Sequence, residues 1–102
     1  MNSAELHFEW DPVKAVSNLS KHGVSFAQAT TVLADPLALT VFDARHSQDE
    51  ERWFTLGLSS QGKLLAVAHT YTATGSTSAR VRIISAREAS RTERQQYENL
   101  SQ

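Results

Sequence analysis

The first quarter of the chain carries a strand pattern followed by a helix pattern. Residues 6–10 alternate apolar and polar side chains, which predicts a short strand. Asp11-Pro12 then supplies a helix N-cap and a proline at the first helical position. We expect this helix to run to about His22 and to end at Gly23, because glycine readily adopts the left-handed conformation of a helix C-cap.

The spacing of apolar residues in this helix predicts which side faces the core. Apolar side chains three residues apart define the expected buried face: Val13, Val16 and Leu19. Polar side chains four and three residues apart define the expected exposed face: Lys14, Asn18 and Lys21.

A second helix is predicted directly after the first. Ser25 with Gln28 three residues later has the pattern of a capping box. The positions at helical spacing are expected to face the core: Phe26, Ala29, Thr30 and Leu33. Asp35-Pro36 is expected to end this segment, since proline disfavours a helical residue before it.

The middle of the chain has the pattern of successive strands. Residues 37–42 are apolar enough to predict a strand that is buried on both faces. Residues 43–51 form a polar, acidic connector that is longer than a tight hairpin and is therefore a candidate functional loop. Residues 52–58 and 63–72 predict two further strands, joined by a turn at residues 59–62.

The last quarter begins with residues 73–78, which lack periodicity and are expected to form a flexible loop. Residues 80–84 are rich in β-branched side chains and predict another strand. Ser85 with Glu88 matches a capping box, so we expect the strand to lead directly into a helix that continues through Tyr97.

Together these elements predict the fold class. The order strand, two helices, four strands and helix indicates an α+β domain with a mainly antiparallel sheet covered by helices. The length fits a single domain, residues 1–102. No apolar run reaches the length of a membrane span, and the N-terminus lacks the basic and apolar regions of a signal peptide. We therefore expect a cytoplasmic protein without a membrane partner.

The composition restricts the chemistry and divides the charge unevenly. The chain has no cysteine, which excludes disulfides and thiolate metal sites. Its net charge is −1, but residues 1–51 hold three Lys/Arg and eight Asp/Glu, whereas residues 52–102 hold seven and three. An acidic half and a basic half favour a domain that binds an anion beside carboxylates.

The last predicted strand concentrates cations on one face. Alternation places Arg80 and Arg82 opposite Val81 and Ile83, and Arg87 follows where the strand is expected to end. Guanidinium groups on one sheet face favour a phosphate-binding surface. The alternative is that arginines on an edge strand only keep the sheet soluble.

Several short blocks in a fixed order resemble a known family. They are Phe8-Glu9-Trp10-Asp11, Lys21-His22-Gly23-Val24-Ser25-Phe26, Asp35-Pro36, Glu51-Arg52-Trp53, Leu56-Gly57 and Arg82-Ile83-Ile84-Ser85-Ala86-Arg87. In order and spacing they closely resemble the BrnT toxins of bacterial type II toxin–antitoxin pairs, over about residues 8–97. The resemblance implies a RelE-like fold and a ribonuclease toxin that inhibits translation.

The resemblance also implies partners. RNA is the expected substrate, and a BrnA-type antitoxin is expected to neutralise the toxin in a hetero-oligomer. DNA is expected to be bound only indirectly, through the antitoxin, in repression of the operon. This chain has His69-Thr70-Tyr71-Thr72 where relatives commonly show His-Thr-Glu-Arg, so a carboxylate and a guanidinium are missing. That departure keeps an alternative open: a non-catalytic antitoxin-binding module that acts only in operon repression.

Metal-independent cleavage of RNA requires a base for the 2′-hydroxyl, an acid for the 5′-oxygen, and cations for the phosphorane. The predicted catalytic residues are Lys21, His22, Glu51, Arg52, His69 and Arg82, with Glu50 as a further acid–base candidate. The predicted substrate-binding residues are Trp53, Arg80 and Arg87. Neither a cofactor nor a metal is expected, because the four histidines lack the spacing of metal ligands.

Several candidates also have a structural interpretation. His22 lies at a helix end, where a cation complements the helix dipole. His69 shares an apolar strand face and is equally explained as a hydrogen-bonded core histidine. Trp53 has the pattern of a core residue, and one of Glu50 and Glu51 is explained as part of a solvated loop.

Overall fold

The secondary structure follows the predicted order, with one additional short strand. A computed structural model describes residues 5–100. Its elements are β1 (Glu5–Glu9), α1 (Pro12–His22), α2 (Phe26–Thr30), β2 (Leu39–Phe42), β3 (Arg52–Leu58), β4 (Leu64–Thr70), β5 (Thr72–Ala73), β6 (Ser78–Glu88) and α3 (Arg91–Leu100). Short 3₁₀ turns follow α2 at Thr31–Ala34 and β2 at Ala44–His46.

All six strands belong to one sheet in the order β1-β6-β4-β3-β2, and β5 pairs with β6. Within residues 5–100, β1 and β6 are parallel, whereas the other neighbouring strands are antiparallel. The predicted α+β class with a mainly antiparallel sheet is therefore confirmed. The predicted strand at residues 63–72 ends at Thr70. The short strand β5, which forms a hairpin with β6, contains the last residue of that prediction and the first residue of the loop expected at 73–78.

The two faces of the sheet are covered to different extents. The first face, which carries Val81 and Ile83, packs against α1, α2 and the 3₁₀ turn after α2. Its buried core is Val24, Phe26, Ala29, Val32, Leu65, Val67, Val81, Ile83 and Ala86. The second face, which carries Arg80 and Arg82, is covered by α3 over β3. The apolar residues there are Leu39, Phe54, Leu56, Leu64, Ala66, Ala89 and Tyr97. The arginine end of the second face stays open to solvent.

Helix α1 has the predicted ends but not the predicted faces. The Asp11 carboxylate accepts a hydrogen bond from the Val13 backbone N–H at 2.8 Å, and Gly23 adopts a left-handed φ of 70°. The expected core residues Val13, Val16 and Leu19, however, are 77%, 71% and 52% exposed. Asn18, expected on the exposed face, is only 7% exposed. The predicted core face was therefore wrong, whereas on the predicted exposed face Lys14 and Lys21 are exposed and Asn18 is not.

Asn18 fixes the orientation of α1 through hydrogen bonds. Its Nδ2 donates to the Val24 carbonyl at 2.9 Å and to the Ala86 carbonyl at 2.8 Å, and the Ala86 N–H donates to its Oδ1 at 3.1 Å. Strand β1 pairs with residues 78–82 of β6. The backbone N–H and C=O groups on the same edge of β6 after residue 82 therefore need other hydrogen-bond partners. The Asn18 amide supplies these partners. Satisfying the backbone groups of β6 therefore outweighs burial of Val13, Val16 and Leu19.

The predicted strand at residues 37–42 is also different from expectation. It is the four-residue β2, at one edge of the sheet, and Val41 and Phe42 are 57% and 47% exposed. The expectation that it is buried on both faces was wrong, because an apolar run by itself does not distinguish a central strand from an edge strand.

The last strand extends further than predicted. β6 pairs with β4 as far as Glu88, so Ser85 lies within a strand and does not begin a helix. The capping box is formed instead by Ser90 and Glu93: the Glu93 N–H donates to Ser90 Oγ at 3.1 Å, and the Ser90 N–H donates to Glu93 Oε1 at 2.8 Å. Pairing with β4 outweighs the local capping signal.

Candidate active site

An open cleft lies on the second face of the sheet, beyond the part that α3 covers. It has a volume of about 500 Å³. Its lining comes from β1, the connector before β3, the β4–β5 turn and β6: Glu9, Glu50, Glu51, Thr70, Tyr71, Thr72, Ala73, Arg80 and Arg82. Residues that are far apart in sequence therefore meet at one solvent-accessible place, which we call the arginine cleft.

Strand β1 and the connector before β3 each place a carboxylate beside a cleft arginine. Glu9 of β1 is the register partner of Arg82 on the parallel strand β6, so it lies on the same face. Glu9 Oε1 is 3.5 Å from the Nε of Arg80. From the other side, Glu50 Oε1 accepts a hydrogen bond from the Nη2 of Arg82. Both guanidinium groups thus have an anionic partner.

These ion pairs favour the charged forms of the cleft side chains and leave them accessible to solvent. The hydrogen bond from Arg82 lowers the pKa of Glu50, and the same bond raises the pKa of Arg82. Arg52 and Lys14 also lower the pKa of Glu50 through their charge. The side chains of Arg82 and Glu50 are 37% and 38% exposed. Ion pairs with this exposure contribute little to stability, so a competing anion can replace the carboxylate.

A smaller cavity of about 310 Å³ adjoins the arginine cleft at Glu50. It is lined by Arg45, His46, Gln48, Asp49, Glu50 and Arg52. The Nδ1 of His46 is 2.9 Å from Asp43 Oδ2. A carboxylate on one ring nitrogen orients an imidazole and leaves the other nitrogen for proton transfer. The connector between β2 and β3 therefore contributes an Asp–His pair next to the cleft.

Four of the predicted site residues lie at this place. Arg80, Arg82 and Glu51 line the arginine cleft, and Arg52 lies in the adjoining cavity, where its Nη2 is 3.9 Å from Glu50 Oε1. They are brought together by the antiparallel pairing of β3 with β4 and of β4 with β6.

His69 lies on the other side of the sheet, in the core. It is 1% exposed, and its Nδ1 is 2.9 Å from the Thr70 carbonyl. Because a carbonyl only accepts, Nδ1 carries the proton, and Nε2 accepts from the Thr55 hydroxyl at 2.7 Å. Burial lowers the pKa of His69, which keeps the ring neutral. In turn the Thr40 hydroxyl donates to Thr55 at 2.8 Å.

The remaining predicted residues have other positions and partners. Lys21 and His22 are exposed at the end of α1, the helix that packs against the first face. The ring of Trp53 packs edge-on against Phe42, with centroids 5.2 Å apart, and it does not line the arginine cleft.

Arg87 is engaged in holding α3. Its Nη1 and Nη2 donate to the two carboxylate oxygens of Glu93 at 2.7 and 3.0 Å, and its guanidinium carbon is 5.6 Å from the ring centroid of Phe54. These bonds lower the pKa of Glu93 to about 2. A second anchor follows one turn later, where the Tyr97 hydroxyl donates to Asp35 at 2.6 Å. Burial and this bond raise the pKa of Tyr97 to about 12.

Sequence reasoning missed three side chains of the cleft and its adjoining cavity. Alternation in β1 predicts that Glu9 lies on the face opposite Phe8. The pairing of β1 with β6, which brings Glu9 to the arginines, could not be predicted from the sequence. Tyr71, 44% exposed, lines the cleft from the position directly after β4. No sequence pattern marked His46 as a site residue, apart from its position in the polar connector.

Two further observations concern the described part of the chain. Within residues 5–100 no group of three or more His, Asp or Glu side chains is arranged to hold a metal ion. Over the same residues, no helix is long and apolar enough to cross a membrane.

The chain belongs to a family of toxins. The sequence model of the family described as "Ribonuclease toxin, BrnT, of type II toxin-antitoxin system" matches residues 10–93, so the chain is a member of the BrnT toxin family. Its fold is similar to the crystal structure of the Brucella abortus ribonuclease toxin BrnT. That match has a TM-score of 0.55 and 25% sequence identity, and it covers 85% of this chain and 99% of the Brucella chain. No curated protein sequence matches the chain significantly.

Proposed function

We propose that the chain is a metal-independent endoribonuclease toxin whose arginine cleft binds the scissile phosphate of RNA. The observation that carries this proposal is the convergence of Arg80, Arg82 and three carboxylates in one open cleft. Guanidinium groups bind phosphate oxygens in a bidentate manner, and each cleft arginine is already paired with an anion that a phosphate resembles.

The proposed reaction breaks one P–O bond. The 2′-oxygen attacks phosphorus, the P–O5′ bond breaks, and the products are a 2′,3′-cyclic phosphate and a 5′-hydroxyl. When the phosphate replaces Glu50 on Arg82, the released carboxylate is free to take the 2′-hydroxyl proton. Arg82 and Arg80 stabilise the charge that develops on the phosphorane. One well-placed acid or base typically contributes about 10²–10⁴-fold in rate.

His46 is the proposed acid for the leaving 5′-oxygen. It lies in the cavity that adjoins the cleft at Glu50, and Asp43 holds its Nδ1. Tyr71 is the proposed platform for a base next to the scissile phosphate, because it is the aromatic side chain that lines the cleft. This role was predicted for Trp53. We propose structural roles for His69 in the core and for Arg87 at α3.

The biological consequence we propose is inhibition of translation in the cytoplasm. A BrnA-type antitoxin is the proposed partner, in a hetero-oligomer that contacts DNA through the antitoxin. Membership of a type II toxin family supports an antitoxin partner, and the open cleft supports inhibition by a protein that covers it.

The test is cleavage of RNA by the purified chain in the presence of EDTA. We expect Arg82→Ala to reduce the cleavage rate by about 10²–10³-fold, the loss that follows removal of one group stabilising developing charge. Arg94→Ala is the matched control, because Arg94 is an exposed arginine on α3 and its removal changes the net charge equally. Equal cleavage by both variants would exclude Arg82 from the site.

A second candidate function is a non-catalytic module that binds an antitoxin and represses its operon. The observation that favours it is the neutralisation of both cleft arginines by Glu9 and Glu50. Under this alternative the wild-type chain leaves RNA intact and does not arrest growth on induction, yet binds the antitoxin. Cleavage that Arg82→Ala removes would exclude the module.

A further inference from the structure

The connector between β2 and β3 is a closed loop whose two ends are bonded to each other. The Asp43 N–H donates to the Arg52 carbonyl at 2.8 Å, and the Arg52 N–H donates to Ser47 Oγ at 3.0 Å. The Ser47 hydroxyl in turn donates to the Asp43 carbonyl at 2.5 Å. A compact surface loop with joined ends is packed by its own side chains and frequently carries function. The cavity of about 310 Å³ beside it, which we call the connector cavity, is lined by Arg45, His46, Gln48, Asp49, Glu50 and Arg52.

Arg52 lines the connector cavity with hydrogen-bond donors that the chain does not use. Its side chain is 32% exposed, and its Nε is buried without a hydrogen-bond partner within residues 5–100. Its Nη2 is 3.9 Å from Glu50 Oε1, which is beyond hydrogen-bond distance. The two arginines of the cleft differ, because each is paired with a glutamate. Since buried N–H groups normally have partners, a guanidinium in this state indicates a ligand that supplies hydrogen-bond acceptors.

The same cavity also has unused acceptors. Within residues 5–100, the side chains of Gln48 and Asp49 line the cavity but make no hydrogen bond or ion pair. The lining as a whole contains two arginines and two acidic residues, so its formal charges balance. This balance disfavours a second phosphate group. It favours an uncharged ligand that both donates and accepts hydrogen bonds, because donors and acceptors are both left to be satisfied.

Guanine is the nucleobase whose two edges match these groups. Its Watson–Crick edge has two neighbouring donors, N1–H and the 2-amino group, which the two oxygens of a carboxylate can accept together. Its Hoogsteen edge has two neighbouring acceptors, O6 and N7, which arginine contacts in a bidentate manner. None of the other three bases has two neighbouring donor groups on one edge. Unpaired bases of RNA are commonly recognised through these edges.

The size and position of the connector cavity fit one base of a bound RNA strand. Its volume is at the lower end of the range of about 300–1,000 Å³ that is usual for ligand sites, as expected for a ligand no larger than a base. Glu50 lines both the connector cavity and the arginine cleft, so the two sites share a wall. Only one sugar separates a base from its phosphate, so a nucleotide with its phosphate at Arg82 can place its base in the cavity.

We propose that the connector cavity recognises guanine and thereby selects the phosphate that is cleaved. Arg52 donates to O6 and N7 of the base, and the Asp49 carboxylate accepts from N1–H and the 2-amino group. The inference rests on the proposed function, in which the arginine cleft binds the scissile phosphate of RNA. It adds the base specificity of cleavage, and it gives Arg52, which was predicted to be catalytic, a role in substrate recognition.

The probes are the four nucleoside 3′-monophosphates, each titrated calorimetrically against the purified chain. We expect guanosine 3′-monophosphate to bind about 10- to 100-fold more tightly than the others, the discrimination typical of a good bidentate contact. Asp49→Ala should reduce this preference by about tenfold. The matched control is Glu98→Ala, which removes an exposed carboxylate on α3 and should keep the preference. Arg82→Ala should weaken all four nucleotides alike, because phosphate contacts carry no sequence information.

Two altered bases test each contact separately. Inosine lacks the 2-amino group, and 7-deazaguanosine lacks the N7 acceptor. The wild type should bind the 3′-monophosphate of each about fivefold more weakly than that of guanosine, the effect of one hydrogen bond. Asp49→Ala should no longer distinguish inosine from guanosine, and Arg52→Met should no longer distinguish 7-deazaguanosine from guanosine. Thermal unfolding establishes that both variants are folded.

Mapping of RNA ends gives a second measurement. The wild type should cut an RNA of mixed sequence next to guanosine, and Asp49→Ala should distribute the cuts over other bases. The proposal is overturned if the wild type binds the four nucleotides equally, or if Glu98→Ala loses the preference to the same extent as Asp49→Ala. RNA cleavage without base preference would also overturn it while supporting the ribonuclease activity. Guanosine-selective binding that Asp49→Ala reduces, with RNA left intact, would refute the activity and support the guanine site.

Discussion

Both faces of the sheet carry polar side chains, but those side chains are buried on the first face and accessible on the second. On the first face, Asn18, Thr55 and His69 are each less than 10% exposed and make hydrogen bonds to backbone or to one another. On the second face, the arginine cleft holds Arg82 and Glu50 in an ion pair that is more than one-third exposed. Both sets have partners within the chain, but the first set is shielded from solvent and the second set is accessible to a ligand.

The comparison teaches that burial separates a polar group that must keep its partners from one that can exchange them. A buried group must keep its partners, because an unpaired buried polar atom costs about 1–3 kcal/mol. An exposed ion pair contributes only about 0–1 kcal/mol and is readily exchanged for another anion. Substitutions should therefore reduce stability among the buried groups of the first face and reduce ligand binding in the arginine cleft.

The largest effect on stability is expected for Asn18→Ala. Three hydrogen bonds are lost, and the Val24 carbonyl and the Ala86 N–H and carbonyl are left buried. We expect the free energy of unfolding to fall by about 3–5 kcal/mol, measured by urea denaturation. Ser17→Ala, at the exposed neighbouring position, is the control and should change stability by less than about 0.5 kcal/mol. Equal effects would refute the anchoring role of the amide.

The next effect is expected for His69→Ala. The substitution leaves a cavity and removes the partner of the Thr55 hydroxyl and of the Thr70 carbonyl, so the expected loss is about 2–4 kcal/mol. RNA cleavage per folded molecule, measured well below the melting temperature, should stay within about tenfold of wild type, since loss of a catalytic acid or base would cost about 10²–10⁴-fold. A folded variant with a thousandfold loss would instead place His69 in catalysis.

A smaller, pH-dependent effect is expected at the anchor of α3. The pKa of Glu93 is about 2 in the folded chain and near 4.5 when unfolded, so its ionised form stabilises the fold. The contribution is complete above pH 4.5 and is lost as the pH falls towards 2. At pH 7 we expect Glu93→Gln to cost about 1–2 kcal/mol, less than the full shift implies because the Arg87 side chain is 41% exposed.

The measurement is urea unfolding of wild type and Glu93→Gln from pH 7 to pH 2. The two stabilities should converge as the pH falls. Glu98→Gln, on the exposed side of α3, serves as control and should track the wild type at every pH. A difference between wild type and Glu93→Gln that is constant with pH would show that the ion pair is not its source.

The smallest effect on stability is expected for Arg80→Ala in the cleft. Arg80 and Glu9 are each 54% exposed, so unfolding free energy should change by less than about 0.5 kcal/mol. Binding to a single-stranded oligodeoxynucleotide, which lacks the 2′-hydroxyl and so is not cleaved, should nevertheless weaken. The slope of log K against log salt concentration should fall by about 0.7, the value for one phosphate contact on a single strand. Arg91→Ala should leave that slope unchanged.

Much of the local structure was determined by the sequence itself. The limits of α1 followed from Asp11, Pro12 and Gly23, because caps act through neighbouring backbone groups. The bounds of β3 and the turn after it were predicted correctly from alternation and from glycine. The family resemblance was likewise contained in the order of short blocks, and the family match over residues 10–93 confirmed it.

Other features were decided by tertiary structure. Two local signals failed because long-range pairing competed with them. The hydrogen bonds of Asn18 with Ala86 outweighed burial of the apolar residues of α1, and the pairing of β4 with β6 outweighed the Ser85 cap. The apolar run at residues 37–42 became an edge strand, since strand order is not encoded within a strand.

The candidate site was likewise determined partly by the sequence and partly by the tertiary structure. Alternation determined that Arg80 and Arg82 share a face, because successive side chains of a strand point to opposite sides. Which residues meet them was set by the parallel pairing of β1 with β6 and by the path of the connector that brings Glu50 to Arg82. Contacts between residues over thirty positions apart depend on the packed sheet, so only the tertiary structure separated His69 in the core from the arginines in the cleft.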